Sequence, residues 1–350
     1  MKISFLGDIS LNDDYVEYYK NGVNPFLNLQ TILKSDDYVV GNLECLTKGE
    51  KGENLLKKPR LTTTVETLNY LKLLNVNIVS LAHNHVYDHL EDGFVKTTEF
   101  LHSNSIRYLG AGLTMKEAKK PIILSGDEFK IGFLNFVTND THPNLPENAP
   151  IILNYFAEDS VTKEIKELKD SVDHIVLLLH WGGRVEGGMF PDFDQPQLAR
   201  RLIDAGADLI IGHHSHTFHP YELYKGKYIF YSLGNFCFSD FIFDGRKHHM
   251  PPSRMVTGIV SITFSKNNYS VETNFFLNQK TQYLFLPDYN KKLKIRNNLF
   301  RNVLKFHSFW RIYYVYKKYF MPVKNFISRN DLDLFEKLKR ISKAFKRRLT

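Results

Sequence analysis

Residues 195–216 read QPQLARRLIDAGADLIIGHHSH. Gln195 to Ala205 predicts a helix and Asp208 to Ile211 a short apolar strand. That strand runs directly into the polar cluster Gly212-His213-His214-Ser215-His216. The same order recurs upstream. Residues 2–6 (KISFL) end at Gly7-Asp8, Asp37 to Val40 ends in Gly41-Asn42-Leu43-Glu44, Asn77 to Leu81 in Ala82-His83-Asn84-His85, and Ile175 to Leu179 in His180-Trp181-Gly182. Further strands are expected near 121–125 and 129–137. Helices are expected over 24–33, with Pro25 in a first turn, around Leu68, Leu71 and Leu74, and over 91–103 and 159–169. Strands that lack apolar–polar alternation are buried on both faces, which makes this an α/β chain with helices on either side of its sheets. Polar residues just past the carboxyl ends of such strands lie where open α/β sheets carry their sites.

Beyond 216 the texture changes. Residues 219–231, 256–265 and 269–286 alternate and are broken by turns, and they predict antiparallel hairpins. The polar stretch 47–60 predicts a surface loop. With 350 residues and 43% hydrophobic content the chain can bury one large core with an appendage. The net charge of +8 is unevenly spread: 291–350 holds 18 Lys and Arg against 3 Asp and Glu, a net of +15. The remaining 28 basic and 35 acidic residues leave 1–290 at −7. The expected organisation is therefore a body over 1–290 and a basic, aromatic helical tail over 291–350, with a last helix over 331–349. Such a tail suits an anionic membrane surface or packs its aromatic side on the body. It carries no recognised nucleic-acid module, so no specific nucleic acid is expected as a partner. Two cysteines, Cys45 and Cys237, make no disulfide framework and predict small buried side chains in a reducing compartment. Neither a secretory signal nor a spanning helix is expected. A cytoplasmic protein, peripheral to the membrane at most, is the expectation.

A dinuclear hydrolytic centre needs oxygen and nitrogen ligands from several strand ends, one of them bridging. Asp8, Asn42, Glu44, Asn84, His180, His214 and His216 arrive in that manner. His214 and His216 stand two apart, so an extended segment would point both to one side. Asn84 offers an amide oxygen suited to a hard divalent ion. His85, its neighbour, can lie near the metals without binding them, the place for a general acid. Asp88 either orients a histidine or caps a helix. Asn235 either meets substrate or forms a turn with Gly234, and Arg60 and Arg184 are anion contacts or solvated side chains.

GDISL, GNLE, LAHNHVYD followed by DGF, LHWG, the 195–216 stretch and YSLGNFCF occur in one order over about residues 2–238. In that order they resemble the signatures of the capsule (poly-gamma-glutamate) synthesis protein CapA family, which is similar to calcineurin-like metallophosphoesterases. The resemblance implies a sandwich of β-sheets flanked by helices. It also implies Asp8, Glu44, Asn84, His180, His214 and His216 as ligands of two divalent ions (Mn, Fe or Zn), with Glu44 bridging, His85 as acid and His213 behind the ligands. The chain departs from the family in four places. His83 stands where the family has Asn, and adds either a ligand or a hydrogen bond. His89-Leu90 follow Asp88 where Gly is usual. Glu186 follows LHWG only after Gly183-Arg184-Val185, which touches substrate contacts. Asp8-Ile9-Ser10 lacks the Asp-x-His of many phosphoesterases, so a weaker or incomplete first metal site is expected. The function expected is a metal-dependent phosphoesterase acting on an anionic polymer or phosphoester in surface-polymer synthesis. The alternative is a polymer-binding or assembly component without turnover.

Overall fold

The computed structural model describes residues 1–243, 246–303 and 306–321. Two sheets form the body. In the first, β1 (Lys2–Ile9), β2 (Tyr38–Leu43), β3 (Val76–Ser80) and Arg107–Leu109 run parallel. Val256–Phe264, Tyr269–Asn278 and Tyr283–Phe285 extend that sheet antiparallel from the far side of β1. The second sheet runs Tyr221–Tyr224, Lys227–Phe230, Leu209–His213, His174–His180, Lys130–Val137 and Ile122–Ser125. Its four middle strands are parallel and its two outer strands antiparallel.

Side chains alternate across each strand, and both faces are covered. Ile3, Phe5, Val40 and Ile78 of the first sheet meet Phe133, Val176, Leu178, Ile211 and Phe230 of the second. The intervening residues Leu6, Val39, Leu43 and Val79 face Leu29, Leu33, Leu71, Phe94 and Leu101 of the helices outside. On the other side, Leu168 of the helix Glu158–Lys169 lies against Gly132. Each such side chain contributes on the order of 1.5–3 kcal/mol through burial. The strands lack alternation because sheet-to-sheet and sheet-to-helix contacts are both apolar. The expected α/β sandwich of sheets flanked by helices is the observed architecture.

Several expected boundaries need correction. β1, β2, His174–His180 and Leu209–His213 continue past their apolar runs and take in Asp8, Asn42, His180 and His213. The backbone pairing of the sheet holds these polar groups, so hydrophobic pattern alone ends the strands too early. The helix expected over 24–33 begins at Leu27, because the Asn24 side chain accepts from the Phe26 amide and turns the chain first. Helix Asp14–Lys20 and the strand Arg107–Leu109 lacked a distinctive pattern. Asn235, expected to meet substrate or to form a turn with Gly234, begins a strand, Asn235–Cys237, paired with β1. Lys227–Phe230 forms the expected hairpin with Tyr221–Tyr224 and also joins the parallel strands.

The chain divides into two compact units, Met1–Asn297 and Asn298–Thr350. The division falls inside the helix Tyr289–Val303 and not at the composition break near 290. Arg296 donates to the carbonyls of Phe218 and Met189, and Asn297 accepts from the Tyr221 amide, which ties this part of the helix to the first unit. The second unit holds the helix His307–Val315 and a π-helical run, Tyr316–Phe320. The helix expected over 331–349 lies outside the described residues. Among the described residues no helix is long and apolar enough to cross a membrane. Cys45 and Cys237 are free and fully buried.

Candidate metal centre

The carboxyl ends of β1, β2, His174–His180 and Leu209–His213 place their polar residues around one point. Gly7 lets β1 approach the Gly234 carbonyl, which accepts from the Asp8 amide at 2.8 Å; a Cβ at position 7 would strike that oxygen. The pairing of β1 shifts register on both sides at Asp8, a bulge that re-aims the side chain. Asp8 is fully buried. Its Oδ1 accepts from Asn42 Nδ2 at 2.9 Å and lies 3.3 Å from His213 Nδ1; its Oδ2 accepts from the His214 amide and lies 3.4 Å from His216 Nδ1. Burial pushes the Asp8 carboxyl up, but the neighbouring His213 and His216 imidazoles outweigh it and hold the group well below the usual carboxylate range. Asn42 also accepts from Ser80 Oγ at 2.9 Å, so it braces Asp8 from behind.

Glu44 is different. It is 0% exposed and among the described residues neither carboxylate oxygen has a hydrogen-bond partner. Burial, reinforced by Asp8, raises its pKa well above the ordinary value. A buried carboxylate without donors is costly unless a cation compensates it. Two groups of donors share this residue: Glu44, His180 and His214 in one, and Asp8, Glu44 and His216 in the other. In each group the donor atoms lie within 4.8 Å of one another. The donor set of imidazole and carboxylate suits divalent Mn, Fe or Zn.

The histidines differ from the extended geometry expected of them. His214 and His216 are not extended; their φ values are 93° and 57°, and the chain winds sharply after His213. They therefore join separate groups on either side of Glu44. The His180 and His214 rings are 4.8 Å apart between centroids. Burial lowers His214 to about 4 and His180 well below its usual value, so both present neutral nitrogens. Burial also disfavours charge on His216, but Glu44 and Asp8 outweigh it and raise this group to about 9. Asn84 Oδ1 lies 3.0 Å from His180 Nε2, a separation that suits a hydrogen bond and two ligands of one ion alike.

Around this core, His85 Nδ1 lies 2.7 Å from Asp88 Oδ2, which also accepts from the Leu61 amide at 2.7 Å. Asp88 thus orients a histidine. Burial raises Asp88 to about 7 and lowers His85. His83 Nδ1 accepts from the His85 amide, and its Nε2 is buried without a partner. Asn235 Oδ1 is 2.9 Å from His216 Nδ1, behind the ring. Glu186 reaches the rim, 3.9 Å from His216 Nε2 and 3.0 Å from Arg254. Arg184 and Arg60 are instead bound to Asp194 and Glu53. Two basic residues near the centre carried no sequence signal: Lys57, one of two adjacent lysines in a polar stretch, and Arg254, outside every motif.

The model of the bacterial capsule synthesis protein PGA_cap family matches residues 2–240. This chain belongs to that family. The matched region contains all of the converging residues from Asp8 to Asn235. The PGA biosynthesis protein CapA of Bacillus subtilis (strain 168) is 34% identical over 244 residues, covering 68% of this chain and 63% of that protein. The capsule biosynthesis protein CapA of Bacillus anthracis is 30% identical over 225 residues, covering 61% of this chain and 53% of that protein. This PGA_cap chain thus spans between about half and two-thirds of these relatives' length. A hypothetical protein from Thermus thermophilus shares the fold, with a TM-score of 0.51 at 14% identity over 79% of this chain and 100% of that one.

Proposed function

We propose that this family member is a metal-dependent phosphoesterase-type hydrolase in capsule or surface-polymer synthesis. Asp8, Glu44, Asn84, His180, His214 and His216 would hold two divalent ions, with Glu44 shared between them. The observation that carries this reading is the fully buried Glu44 carboxylate, without hydrogen-bond donors among the described residues and common to both groups of ligands. Bound divalent ions supply Lewis acidity at this point. The chain's own residues do the rest. Asn42 and the His214 amide fix Asp8, and Asn235 fixes the His216 ring. Asp88 meets His85 at Nδ1 and is raised to about 7, so a protonated Asp88 would pass its proton to Nδ1 as Nε2 hands its own to the leaving group. The substrate is a phosphoester or an anionic polymer.

The test is turnover of a panel of phosphomonoesters and phosphodiesters by the full chain. Added Mn²⁺ is expected to activate and a chelator to abolish activity. Binding of polymer with no turnover of any ester under Mn²⁺ would instead establish the assembly reading. The second unit supports a further element of function, adsorption to an anionic membrane surface. Phe309, Ile312 and Phe320 are exposed there beside Lys317 and Lys318. Truncation after Asn297 is expected to release the protein from vesicles containing phosphatidylglycerol without loss of metal. Unchanged vesicle binding would refute that role.

A further inference from the structure

The stretch 47–60, which composition assigns to the surface, is drawn inward at its end. The Asn54 amide donates to the Asp88 carbonyl at 2.9 Å and the Leu61 amide to the Asp88 carboxylate at 2.7 Å, so the loop is pinned to the residue that orients His85. Asn54 and Asn144 exchange side-chain bonds with the opposite turn, to the Asn144 and Leu56 carbonyls. Between these ties Lys57 is only 4% exposed. Its ammonium donates one hydrogen bond, to the His142 carbonyl at 3.0 Å, and forms no ion pair among the described residues. Burial lowers its pKa, opposed by Asp88, Glu44 and Glu186, while its charge in turn acts on His83, His85 and His214. The loop that carries Lys57 is pinned on both sides to Asp88, the residue bonded to His85, and Lys57 therefore stands beside the centre. On the His216 side, Arg254 holds Glu186 at 3.0 Å and keeps a buried Nε without a hydrogen-bond partner among the described residues.

A buried ammonium with one donor used of three is costly unless something else meets it. With a divalent ion on Glu44, Asp88 bonded to His85 and the Leu61 amide, and Glu186 paired with Arg254, each carboxylate near Lys57 is engaged elsewhere, and the complement Lys57 lacks is an anion. We infer that Lys57 binds a non-reacting anionic oxygen of a phosphoryl group at this centre, an inference that rests on the metal-dependent reading above. The loop ties set the ammonium in place before substrate arrives, so little ordering is spent on binding.

The experiment titrates inorganic phosphate by calorimetry into the full chain, wild type beside Lys57→Met and Lys57→Gln. Gln keeps a donor for the His142 carbonyl, and so preserves the loop tie if Met does not fold. Loss of a charge-assisted hydrogen bond is expected to weaken phosphate by about tenfold or more. Metal content and melting temperature are expected to hold. Phosphate affinity within about twofold of wild type in a folded variant would overturn the assignment, as would no phosphate binding in any of the three. If the wild type takes up no metal, the reading of the centre fails. The same comparison on metal-free protein then still decides the role of Lys57.

Discussion

Glu44→Gln is expected to raise the stability of the metal-free protein and to abolish stabilisation by added Mn²⁺. The two halves have one cause. Glu44 is fully buried and among the described residues both oxygens lack hydrogen-bond donors, with His216 Nε2 4.0 Å away, so the metal-free fold carries a polar group that no hydrogen bond satisfies. Leaving such a group unsatisfied costs roughly 1–3 kcal/mol, more when it is charged. A neutral amide of the same shape lowers that cost. The wild type recovers it by binding divalent ions, so its melting temperature should climb with Mn²⁺ concentration as unfolding free energy rises, by about 2.7 kcal/mol at a hundredfold excess over Kd. Thermal melts of both proteins, with chelator and with Mn²⁺, check this. A variant less stable than wild type in chelator, or one that still gains from Mn²⁺, would show that Glu44 is an ordinary structural carboxylate.

His85→Gln should separate proton transfer from metal binding. His85 lies outside both groups of ligands, and its Nδ1 is held by Asp88 at 2.7 Å. Turnover is expected to fall by about 10²- to 10⁴-fold, the usual contribution of a positioned acid, with metal content unchanged. The deficit should be smallest for esters whose leaving group needs no proton, such as nitrophenolate. Asp88→Asn should lower turnover less, since it loosens the imidazole without removing it. An equal deficit for all leaving groups, or loss of metal from His85→Gln, would contradict the role of acid.

Much of the fold was legible because parallel strands buried on both faces leave long apolar runs, as in KISFL and HIVLLLH. The same signal ends too soon. Asp8, Asn42 and His213 belong to strands through backbone pairing, and nothing in their polarity announces it. The converging residues were legible as polar clusters after apolar runs, but their local geometry was not. His214 and His216 suggested an extended pair, whereas positive φ at both turns them into separate groups around Glu44. Lys57 and Arg254 were invisible because a lone cation in a polar stretch looks solvated until tertiary contacts bury it. Arg60 and Arg184 show the converse: similar residues in similar stretches, each bound to a neighbouring carboxylate away from the centre.

The most direct measurement is elemental analysis of the purified full chain after loading with Mn²⁺, beside the double variant His214→Ala/His216→Ala. This variant removes one histidine from each group of ligands while leaving Glu44 and Asp8 in place. The account predicts about two divalent ions per wild-type chain, both lost or reduced to trace in the variant. Wild type without stoichiometric metal, or a variant that retains it, would contradict the account.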